Sequence, residues 1–256
     1  MNLPAFVISL ERATVRRAHM ERLASLTTIP FTFIPAVDGR PLSPAETSRH
    51  FRANAIRPHY PFKILPGEIG CFLSHRSVWQ RMVDENIDRA LVLEDDITFD
   101  PAAFEAAANF LARAARDEDY VQFLVRPHRG PVFLRETGPG FDFVCPVLPS
   151  LRTSAQFVTL GAARKLLQAT EIFDRPVDSV LQMGWLTGIT PTHIWPSPVR
   201  TVEAELGGST IAVRPRSKAE KIRREIIRFI YRVQIKYKAR RHAATIAPDF
   251  LSGRKP

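Results

Sequence analysis

The pattern of apolar and polar residues predicts strands that alternate with helices along most of the chain. Short apolar runs rich in β-forming residues indicate buried strands, whereas apolar residues three or four positions apart indicate helices. The predicted strands cover residues 5–10, 29–35, 90–93, 120–125, 141–148, 155–160, 192–195 and 199–202. The predicted helices follow the first strand, begin at Pro66, and cover 102–115 and 162–169. This order is typical of an α/β fold with helices packed on a central, mostly parallel sheet.

The clearest predicted strand ends in three acidic residues. Residues 90–93 are continuously apolar, and Glu94, Asp95 and Asp96 follow directly. The carboxyl ends of strands in an open α/β sheet form the crevice that binds ligands. Neighbouring buried acids raise each other's pKa unless a cation or several hydrogen-bond donors compensate, so the cluster indicates a site for Mg²⁺ or Mn²⁺ with a phosphate ligand. The alternative is a solvated loop whose acids cap the helix that begins near Pro101.

Composition and the remaining motifs exclude several classes of protein. With 45% hydrophobic and 24% charged residues, the chain of 256 residues can bury a substantial core and is not intrinsically disordered. It lacks the glycine-rich loops of dinucleotide-binding and P-loop proteins, and it lacks G-x-S-x-G, H-E-x-x-H and C-x-x-C. The two cysteines, Cys71 and Cys145, are too few for a disulfide scaffold. No apolar run is long enough to cross a bilayer and no leader pattern opens the chain, so a cytoplasmic protein is expected.

The net charge of +10 is concentrated near the end of the chain. Residues 214–256 hold 14 Lys and Arg against 3 Asp and Glu, whereas the rest holds 22 basic and 23 acidic residues. Within this segment, apolar residues at helical spacing stand opposite a row of basic residues. The apolar residues are Ile222, Ile226, Ile230, Val233 and Tyr237, and the basic residues are Arg224, Arg228, Arg232 and Lys236. The pattern predicts a cationic amphipathic helix as a tail.

The basic tail leaves three interpretations open. It can bind an anionic membrane surface, either as a non-catalytic adaptor or as part of an enzyme that works at the inner membrane face. It can instead pack its apolar residues on the body and keep its arginines in solvent. It can also bind nucleic acid, but a nearly neutral body and few aromatic residues among the basic ones argue against that partner. Nucleic acid is therefore not an expected partner.

Four motifs stand in order along roughly the first 100 residues. They are Val7-Ile8-Ser9-Leu10 with Arg12, Arg16 and Arg17; Ala36-Val37-Asp38-Gly39; Gly67-Glu68-Ile69-Gly70-Cys71-x-Leu73-Ser74-His75; and Leu93-Glu94-Asp95-Asp96. In this order and spacing they resemble glycosyltransferase family 25, which includes galactosyltransferases of bacterial lipooligosaccharide and of collagen. Ser9 departs from the family, which usually has Asn there. The resemblance continues thinly to about Arg214.

The resemblance implies a fold and a reaction. It implies a GT-A-like nucleotide-sugar-binding domain over residues 1–213, followed by the helical tail over 214–256. The implied reaction is an inverting, metal-dependent transfer of a hexose, galactose most often, from a UDP-hexose to a glycan or lipid-linked glycan acceptor. The chain length and the lack of a leader resemble the bacterial branch, so the implied product is lipooligosaccharide or a related envelope glycan.

The resemblance also implies roles for individual residues. Asp96, with Glu94 or Asp95, would hold Mn²⁺ or Mg²⁺ against the donor diphosphate, and Glu94 is the preferred second ligand. Asp178, after Pro176-Val177, is the candidate for the catalytic base that takes the acceptor proton, with a helix cap as the alternative and with Glu203 and Glu205 as other candidates. The residues expected to bind the donor are Ser9, Leu10, Arg12, Arg16, Glu68, His75, Glu94 and Asp95. A purely structural role stays open for Glu68, for His75 and for each arginine.

Overall fold

The computed structural model describes residues 3–202, 204–205 and 218–246, with side chains in the last range described for 223–245. The strands are β1 (Ala5–Ser9), β2 (Phe31–Pro35), β3 (Arg89–Glu94), β4 (Ile97–Phe99), β5 (Tyr120–Phe123), β6 (Val132–Gly138), β7 (Phe141–Pro146), β8 (Ala155–Thr159), β9 (Thr192–Trp195) and β10 (Val199–Thr201). The helices are α1 (Thr14–Ala24), α2 (Pro44–Ser48), α3 (Pro66–Asp84), α4 (Pro101–Ala114), α5 (Leu160–Ala169), α6 (Val177–Leu181), α7 (Gly184–Thr187) and α8 (Lys218–Ile246). Each strand and helix predicted from the sequence is present, which confirms the α/β fold.

Eight of the strands form one sheet in the order β2-β1-β3-β8-β5-β9-β7-β6. β1 pairs in parallel with β2 and β3, and β5 pairs in parallel with β9. β7 and β8 pair antiparallel with both of their neighbours. Six strands of this sheet therefore run in one direction and two run against them, which confirms the predicted mostly parallel sheet. β4 and β10 form a separate antiparallel pair.

Helices cover both faces of the sheet because its central strands are apolar on both sides. In β3, Leu91 and Leu93 face one core, Ala90 and Val92 face the other, and all four are fully buried. α1 and α4 pack on the first face, and α3, α5 and α6 pack on the second. Burial of one such leucine side chain contributes about 1.5–3 kcal/mol. The strand that leads to the acidic cluster is therefore fixed at the centre of the molecule.

The structure adds the short helices α2, α6 and α7 and the strands β4 and β6 to the predicted elements, and α1 packs differently from its apolar spacing. β6 is not predicted, because it is an edge strand that leaves Val132 and Leu134 40% and 56% exposed. β4 is too short to show an alternation. α1 is oriented by Met20 and Leu23, which are buried, whereas Val15 is 66% exposed although it shares their spacing. The position of an exposed strand or helix is therefore harder to predict from its sequence than that of a buried one.

The C-terminal helix packs on the body with the face opposite its apolar residues. Arg224 and Arg228 lie on the packed side, and their guanidinium carbons are 4.3 Å and 5.6 Å from the ring centroid of Phe62. The buried residues of α8 are Ile235, Ala239 and Ala243. The arginines of this face therefore contact an aromatic ring of the body instead of extending into solvent.

The apolar residues that the sequence places on one side of α8 remain exposed. Ile226, Ile230, Val233 and Tyr237 are 56%, 51%, 48% and 60% exposed, and the side chain of Ile222 lies outside the described residues. The alternative in which this side packs on the body is therefore wrong. The predicted boundary between 213 and 214 also lies outside the described residues. In the part of the chain that is described, no helix combines the length and the hydrophobicity needed to cross a membrane.

Candidate functional site

An open cleft of about 660 Å³ lies at the carboxyl ends of β1 and β3. The start of α1, the turn after β2, the first turns of α3, the segment before β8 and the start of α6 complete its walls. Its charged lining residues are Arg12, Arg16, Asp38, Arg40, Glu94, Asp95, Asp96, Arg152 and Asp178. Open α/β sheets bind ligands at this edge, and a volume of this size accommodates a small-molecule ligand.

Asp95 is held inside the protein by two side chains from the first motif. β1 and β3 run in parallel with Ile8 opposite Glu94, so their carboxyl ends meet. The Ser9 hydroxyl donates a hydrogen bond to Oδ2 of Asp95 at 2.7 Å, and Arg16 donates from Nη1 to Oδ1 at 3.0 Å. Asp95 is only 8% exposed. Both of its oxygens are therefore engaged, and Asp95 connects β1, α1 and β3.

Glu94 points toward the interior of the same site. Its Oε1 accepts a hydrogen bond from the Thr153 hydroxyl at 2.7 Å and lies 3.4 Å from Nε2 of His75. Burial raises the pKa of Glu94, but the hydrogen bonds and charges of His75, with Thr153 and Arg152, outweigh burial and hold it below its ordinary value. Glu94 is therefore an anion at neutral pH.

The thiol of Cys71 lies beside this carboxylate. Ligand atoms of Cys71, His75 and Glu94 all lie within 4.8 Å of one another. Burial, followed by the charge of Glu94, raises the pKa of Cys71 well above its ordinary value, so its sulfur stays protonated. Thiol and imidazole groups are not the oxygen ligands that Mg²⁺ and Mn²⁺ prefer, so Cys71 and His75 do not add ligands for the predicted cation.

The backbone of Asp96 is fixed by β10. Its carbonyl oxygen accepts hydrogen bonds from the Val202 backbone at 2.8 Å and from the Thr201 hydroxyl at 3.3 Å. Its Oδ2 lies 3.8 Å from Nη1 of Arg16. Asp96 is a lining residue of the cleft, and its side chain is 17% exposed. The short β4–β10 pair therefore positions the last acid of the cluster.

The residues at the end of β3 fit the predicted cation. Mg²⁺ and Mn²⁺ prefer oxygen ligands and commonly take one or two carboxylates, with water and phosphate at the other positions. Asp96 and Glu94 both line the cleft, and both hydrogen bonds of Glu94 use Oε1. Asp95 has both oxygens engaged by Ser9 and Arg16. Asp96 and Glu94 therefore stay the candidates for holding such a cation, and Asp95 supports the cluster through its contacts with Ser9 and Arg16.

The turn after β2 packs tightly on the start of α3. A Cβ atom on Gly70 would overlap the backbone of Val37 and Gly39, and a Cβ on Gly39 would overlap the carbonyl of Pro66. Only glycine fits at this close approach. The two glycine-containing motifs of the sequence therefore form one structural unit, which places the turn at the wall of the cleft.

Asp38, in this turn, pairs with two arginines. Arg40 donates from Nε to Oδ1 at 3.2 Å, and Arg12 pairs with Oδ2. Hydrogen bonds from Arg40, then the hydrogen bond and charge of Arg12, lower the pKa of Asp38 to about 2 against a smaller opposing effect of burial. Arg12 is therefore partly neutralised at the lip of the cleft.

Asp178 lines the cleft from the first turn of α6. Its Oδ2 accepts a hydrogen bond from the Arg152 backbone at 3.3 Å, and the Ser179 hydroxyl donates to Oδ1 at 3.3 Å. Burial raises the pKa of Asp178 above its ordinary value, and these hydrogen bonds offset only part of that effect. A carboxylate in this environment accepts a proton more readily than an exposed one.

Several predicted donor residues lie behind the cleft surface. Ser9 and His75 are buried and contact Asp95 and Glu94 instead of lining the cleft. Oε2 of Glu68 accepts a hydrogen bond from the Leu65 backbone at 2.6 Å, at the start of α3. Their contact with a donor stays a prediction. Leu10, Arg12, Arg16, Glu94 and Asp95 do line the cleft.

The other candidate bases are not brought to the cleft. Glu205 is 67% exposed at its side chain and lies 3.8 Å from Arg200, which is 70% exposed. Glu203 lies outside the described residues. Asp178 is thus the one candidate base among the described residues that lines the cleft.

Comparison with known proteins assigns the family. The sequence profile described as Glycosyltransferase family 25 (LPS biosynthesis protein) matches residues 2–128. A "Glycosyltransferase 25 family member" of Anopheles gambiae is 33% identical over 205 residues, which are 76% of this chain and 33% of that protein.

The chain belongs to glycosyltransferase family 25.

Other family 25 relatives differ in the activity that their names describe. "Procollagen galactosyltransferase 2" of Homo sapiens is 40% identical over 101 residues, or 37% of this chain and 16% of that protein. "Probable inactive glycosyltransferase 25 family member 3" of Rattus norvegicus is 30% identical over 217 residues, or 78% of this chain and 36% of that protein. The chain thus spans about a third or less of the length of the first curated relatives it matches.

The family 25 profile covers the acidic cluster but not the whole cleft. Residues 2–128 include the ends of β1 and β3 and the start of α3, whereas Arg152, Thr153 and Asp178 lie beyond them. Sequence reasoning missed Arg152 and Thr153. Nothing in their local sequence indicates a site, because they reach the cleft only through the antiparallel pairing of β8 with β3.

Proposed function

We propose that this chain is an inverting, metal-dependent glycosyltransferase that moves a hexose from a UDP-hexose to a glycan. The observation that carries the proposal is the cleft at the carboxyl ends of β1 and β3, where Asp96 and Glu94 face a volume large enough for a nucleotide sugar. A GT-A-like domain is the fold that the resemblance implies for such a site. One relative is named as probably inactive, so family membership alone does not support activity, and the residues of the cleft are needed as support as well.

The proposed donor site lies between the acidic cluster and the arginines of α1. Mn²⁺ or Mg²⁺, when bound by Asp96 and Glu94, would neutralise charge on the departing diphosphate. Arg16, which pairs with Asp95 and lies 3.8 Å from Asp96, and Arg12, which pairs with Asp38 at the lip, are the arginines proposed to lie near the phosphates. The carboxyl end of β1, with Leu10, forms the adjoining wall for the nucleoside.

Asp178 is the proposed catalytic base. An inverting transfer in one displacement needs a group that takes the acceptor hydroxyl proton while the new bond to the sugar forms. The Asp178 carboxylate lines the cleft, and burial raises its pKa, which makes it a stronger base than an exposed aspartate. The hydrogen bond that the Arg152 backbone N–H donates to Oδ2 of Asp178 orients the carboxylate.

The proposal extends to the sugar and the acceptor. Galactose is proposed because a relative is named as a procollagen galactosyltransferase, and an envelope glycan is proposed because the family profile is described as an LPS biosynthesis protein. These assignments rest on names of similar proteins, so they require a direct assay.

A panel of UDP-hexoses assayed by released UDP tests the proposal. The wild-type protein should release UDP from at least one of UDP-galactose and UDP-glucose with Mn²⁺ or Mg²⁺, and EDTA should remove the activity. Asp96→Ala should lose it, whereas Asp142→Ala should retain it, because Asp142 is an exposed acid on β7 outside the cleft. Absence of UDP release from every UDP-hexose with either cation would contradict the proposed function.

A further inference from the structure

The C-terminal helix presents a continuous apolar face to solvent. We call this face the outer stripe. The residues recur at steps of three, one, three and four, so they share one side of α8 over about three turns. Contiguous exposed apolar groups of this kind mark an interaction surface. The outer stripe consists of Ile226, Phe229, Ile230, Val233 and Tyr237, each between 48% and 68% exposed.

Contacts on the other side of α8 fix the outer stripe in its outward position. Ile235 and Ala239 are 2% and 5% exposed against the body. Nη1 of Arg175 donates a hydrogen bond to the Tyr231 hydroxyl at 2.8 Å, and the Arg175 side chain is completely buried. A rotation of α8 that buried the outer stripe would break this hydrogen bond and expose Ile235. The outward orientation is therefore part of the packing of the helix.

Basic residues border the outer stripe on both sides. In the described side chains of 223–245 the acidic residue is Glu225, and it pairs with Arg228 on the packed side. The surface around the stripe is therefore strongly cationic. The exposed basic residues are Arg232, Lys236 and Arg240 along one edge, and Arg223 and Arg241 along the other.

We propose that the outer stripe and its basic borders bind α8 flat on an anionic phospholipid surface. A helix in this orientation inserts its apolar side chains between the headgroups, and its Lys and Arg side chains contact the lipid phosphates. The apolar side chains supply burial, and the basic side chains supply attraction to anionic lipid. Binding therefore requires both parts of the surface.

Charge favours this partner over two others. A second copy of the chain would bring the same basic borders together across the contact, where like charges repel. A nucleic acid would neutralise the basic residues, but its phosphates offer no apolar partner to the outer stripe. An anionic bilayer provides both an apolar interior and negative headgroups.

Membrane binding through α8 would also position the cleft relative to the bilayer. Tyr231 of α8 packs against Tyr60 with ring centroids 5.6 Å apart, and Arg224 lies over Phe62. This segment leads into the first turn of α3, which lines the cleft. α8 on a bilayer would hold that side of the cleft near the lipid headgroups, within reach of a lipid-linked acceptor. Only this last step rests on the proposed function.

Vesicle co-sedimentation of the full chain tests the proposal. The vesicles contain phosphatidylcholine alone or with about one third phosphatidylglycerol. The stripe variant carries Ile230→Glu and Val233→Glu. The control carries Ser48→Glu and Gln168→Glu, which change the net charge equally at exposed positions on α2 and α5, away from the outer stripe and its basic borders. Thermal unfolding midpoints of the two variants show whether both are folded.

Wild-type protein and control should bind the anionic vesicles, remain unbound with phosphatidylcholine alone, and bind less at high salt. The stripe variant should bind at least about tenfold more weakly than the control. Equal binding of wild type to both kinds of vesicle, or equal binding of stripe variant and control, would overturn the proposal. Wild-type protein that does not bind anionic vesicles would also overturn the proposal. In that case, sedimentation would show whether the outer stripe forms a dimer, and binding of a DNA duplex would indicate a nucleic-acid partner. None of these readouts depends on donor binding or transfer.

Discussion

Asp178 is a buried carboxyl group whose charge costs folding free energy. Its raised pKa means that the folded protein binds a proton at this site more readily than the unfolded chain does. Burial of a charged helix cap does not increase stability, so a purely structural cap does not account for the buried position of this carboxyl group. Its position in the cleft and its strengthened basicity together favour a functional role.

Asp178→Asn should separate function from stability. The amide cannot take up the acceptor proton, so we expect transfer to fall by at least about 100-fold. The thermal unfolding midpoint should be equal or higher, because the variant no longer buries a charge. Released UDP in the presence of acceptor measures the first effect, and fluorimetric melting measures the second. Normal transfer, or a lower midpoint, would contradict the assigned role.

The same residue gives stability a defined pH dependence. Between the unfolded-state pKa of 3.8 and the higher folded-state pKa, the native protein binds more protons than the unfolded chain. The contribution of Asp178 to the free energy of unfolding therefore falls as pH rises through this window. The free energy of unfolding of Asp178→Asn minus that of wild type should grow over this window and then level off. Urea unfolding at a series of pH values measures the difference, and a difference that shrinks with rising pH would refute the account.

Ser9 is a small buried residue that we expect to contribute to stability through its hydrogen bond to Asp95. Ser9→Ala removes the hydroxyl that donates to Asp95, a carboxylate only 8% exposed. We expect the free energy of unfolding to fall by about 1–3 kcal/mol. Ser25→Ala, at an exposed hydroxyl after α1, should change it by less than about 0.5 kcal/mol. Equal effects of the two variants in urea unfolding would show that Ser9 does not support Asp95.

At the scale of elements, one hydrogen bond attaches α8 to a buried ion pair. Arg175 and Asp174 are both completely buried at their side chains, and Arg175 also donates to the backbone oxygens of Ile56 and Pro58. Its Nη1 donates to the Tyr231 hydroxyl on α8 at 2.8 Å and to Sδ of Met183 at 3.2 Å. The position of the helix therefore depends on a charged network that belongs to the body.

Tyr231→Phe should loosen α8 without unfolding the body. Loss of a hydrogen bond from a charged donor weakens local stability by about 1.5–3 kcal/mol. Amide hydrogen exchange over residues 223–245 should accelerate, while exchange in β3 stays unchanged. Tyr237→Phe is the matched control, because Tyr237 is 60% exposed on the other side of the helix. Unchanged exchange in α8 of the Tyr231 variant would show that the hydrogen bond does not hold the helix.

The elements that the sequence predicts best are those whose environment is uniform. β3 is apolar from Ala90 to Leu93 because these residues are buried on both faces of the sheet, and α3 begins at the Pro66-Gly67-Glu68 signal as expected. β6 could not be predicted, because an edge strand with exposed side chains needs no apolar pattern. The orientation of α8 on the body could not be predicted from the sequence either. Periodicity reveals that the helix has two distinct sides, but the side that packs is determined by Phe62, Tyr60 and Arg175, which are distant in sequence.

At the scale of the whole molecule, the cleft combines local motifs with long-range pairing. The acidic cluster and the first motif could be predicted to meet, because parallel neighbouring strands end at the same edge of a sheet. The contacts of Arg152 and Thr153 could not be predicted, since an antiparallel strand brings them to the cleft from its other end. The different roles of the three acids could not be predicted either, because Asp95 is enclosed by Ser9 and Arg16, and these contacts depend on the fold.

Asp96 and Glu94 are proposed to hold a divalent cation that binds the diphosphate of a uridine nucleotide. Isothermal titration of UDP into wild type, Asp96→Ala and the control Asp142→Ala, each with Mn²⁺ and with EDTA, tests it directly. Wild type and control should bind UDP with Mn²⁺ and lose most of that affinity in EDTA, and Asp96→Ala should bind weakly in both conditions. UDP binding that is equal with and without the cation, unaffected in Asp96→Ala, or absent from the wild-type protein would contradict the account.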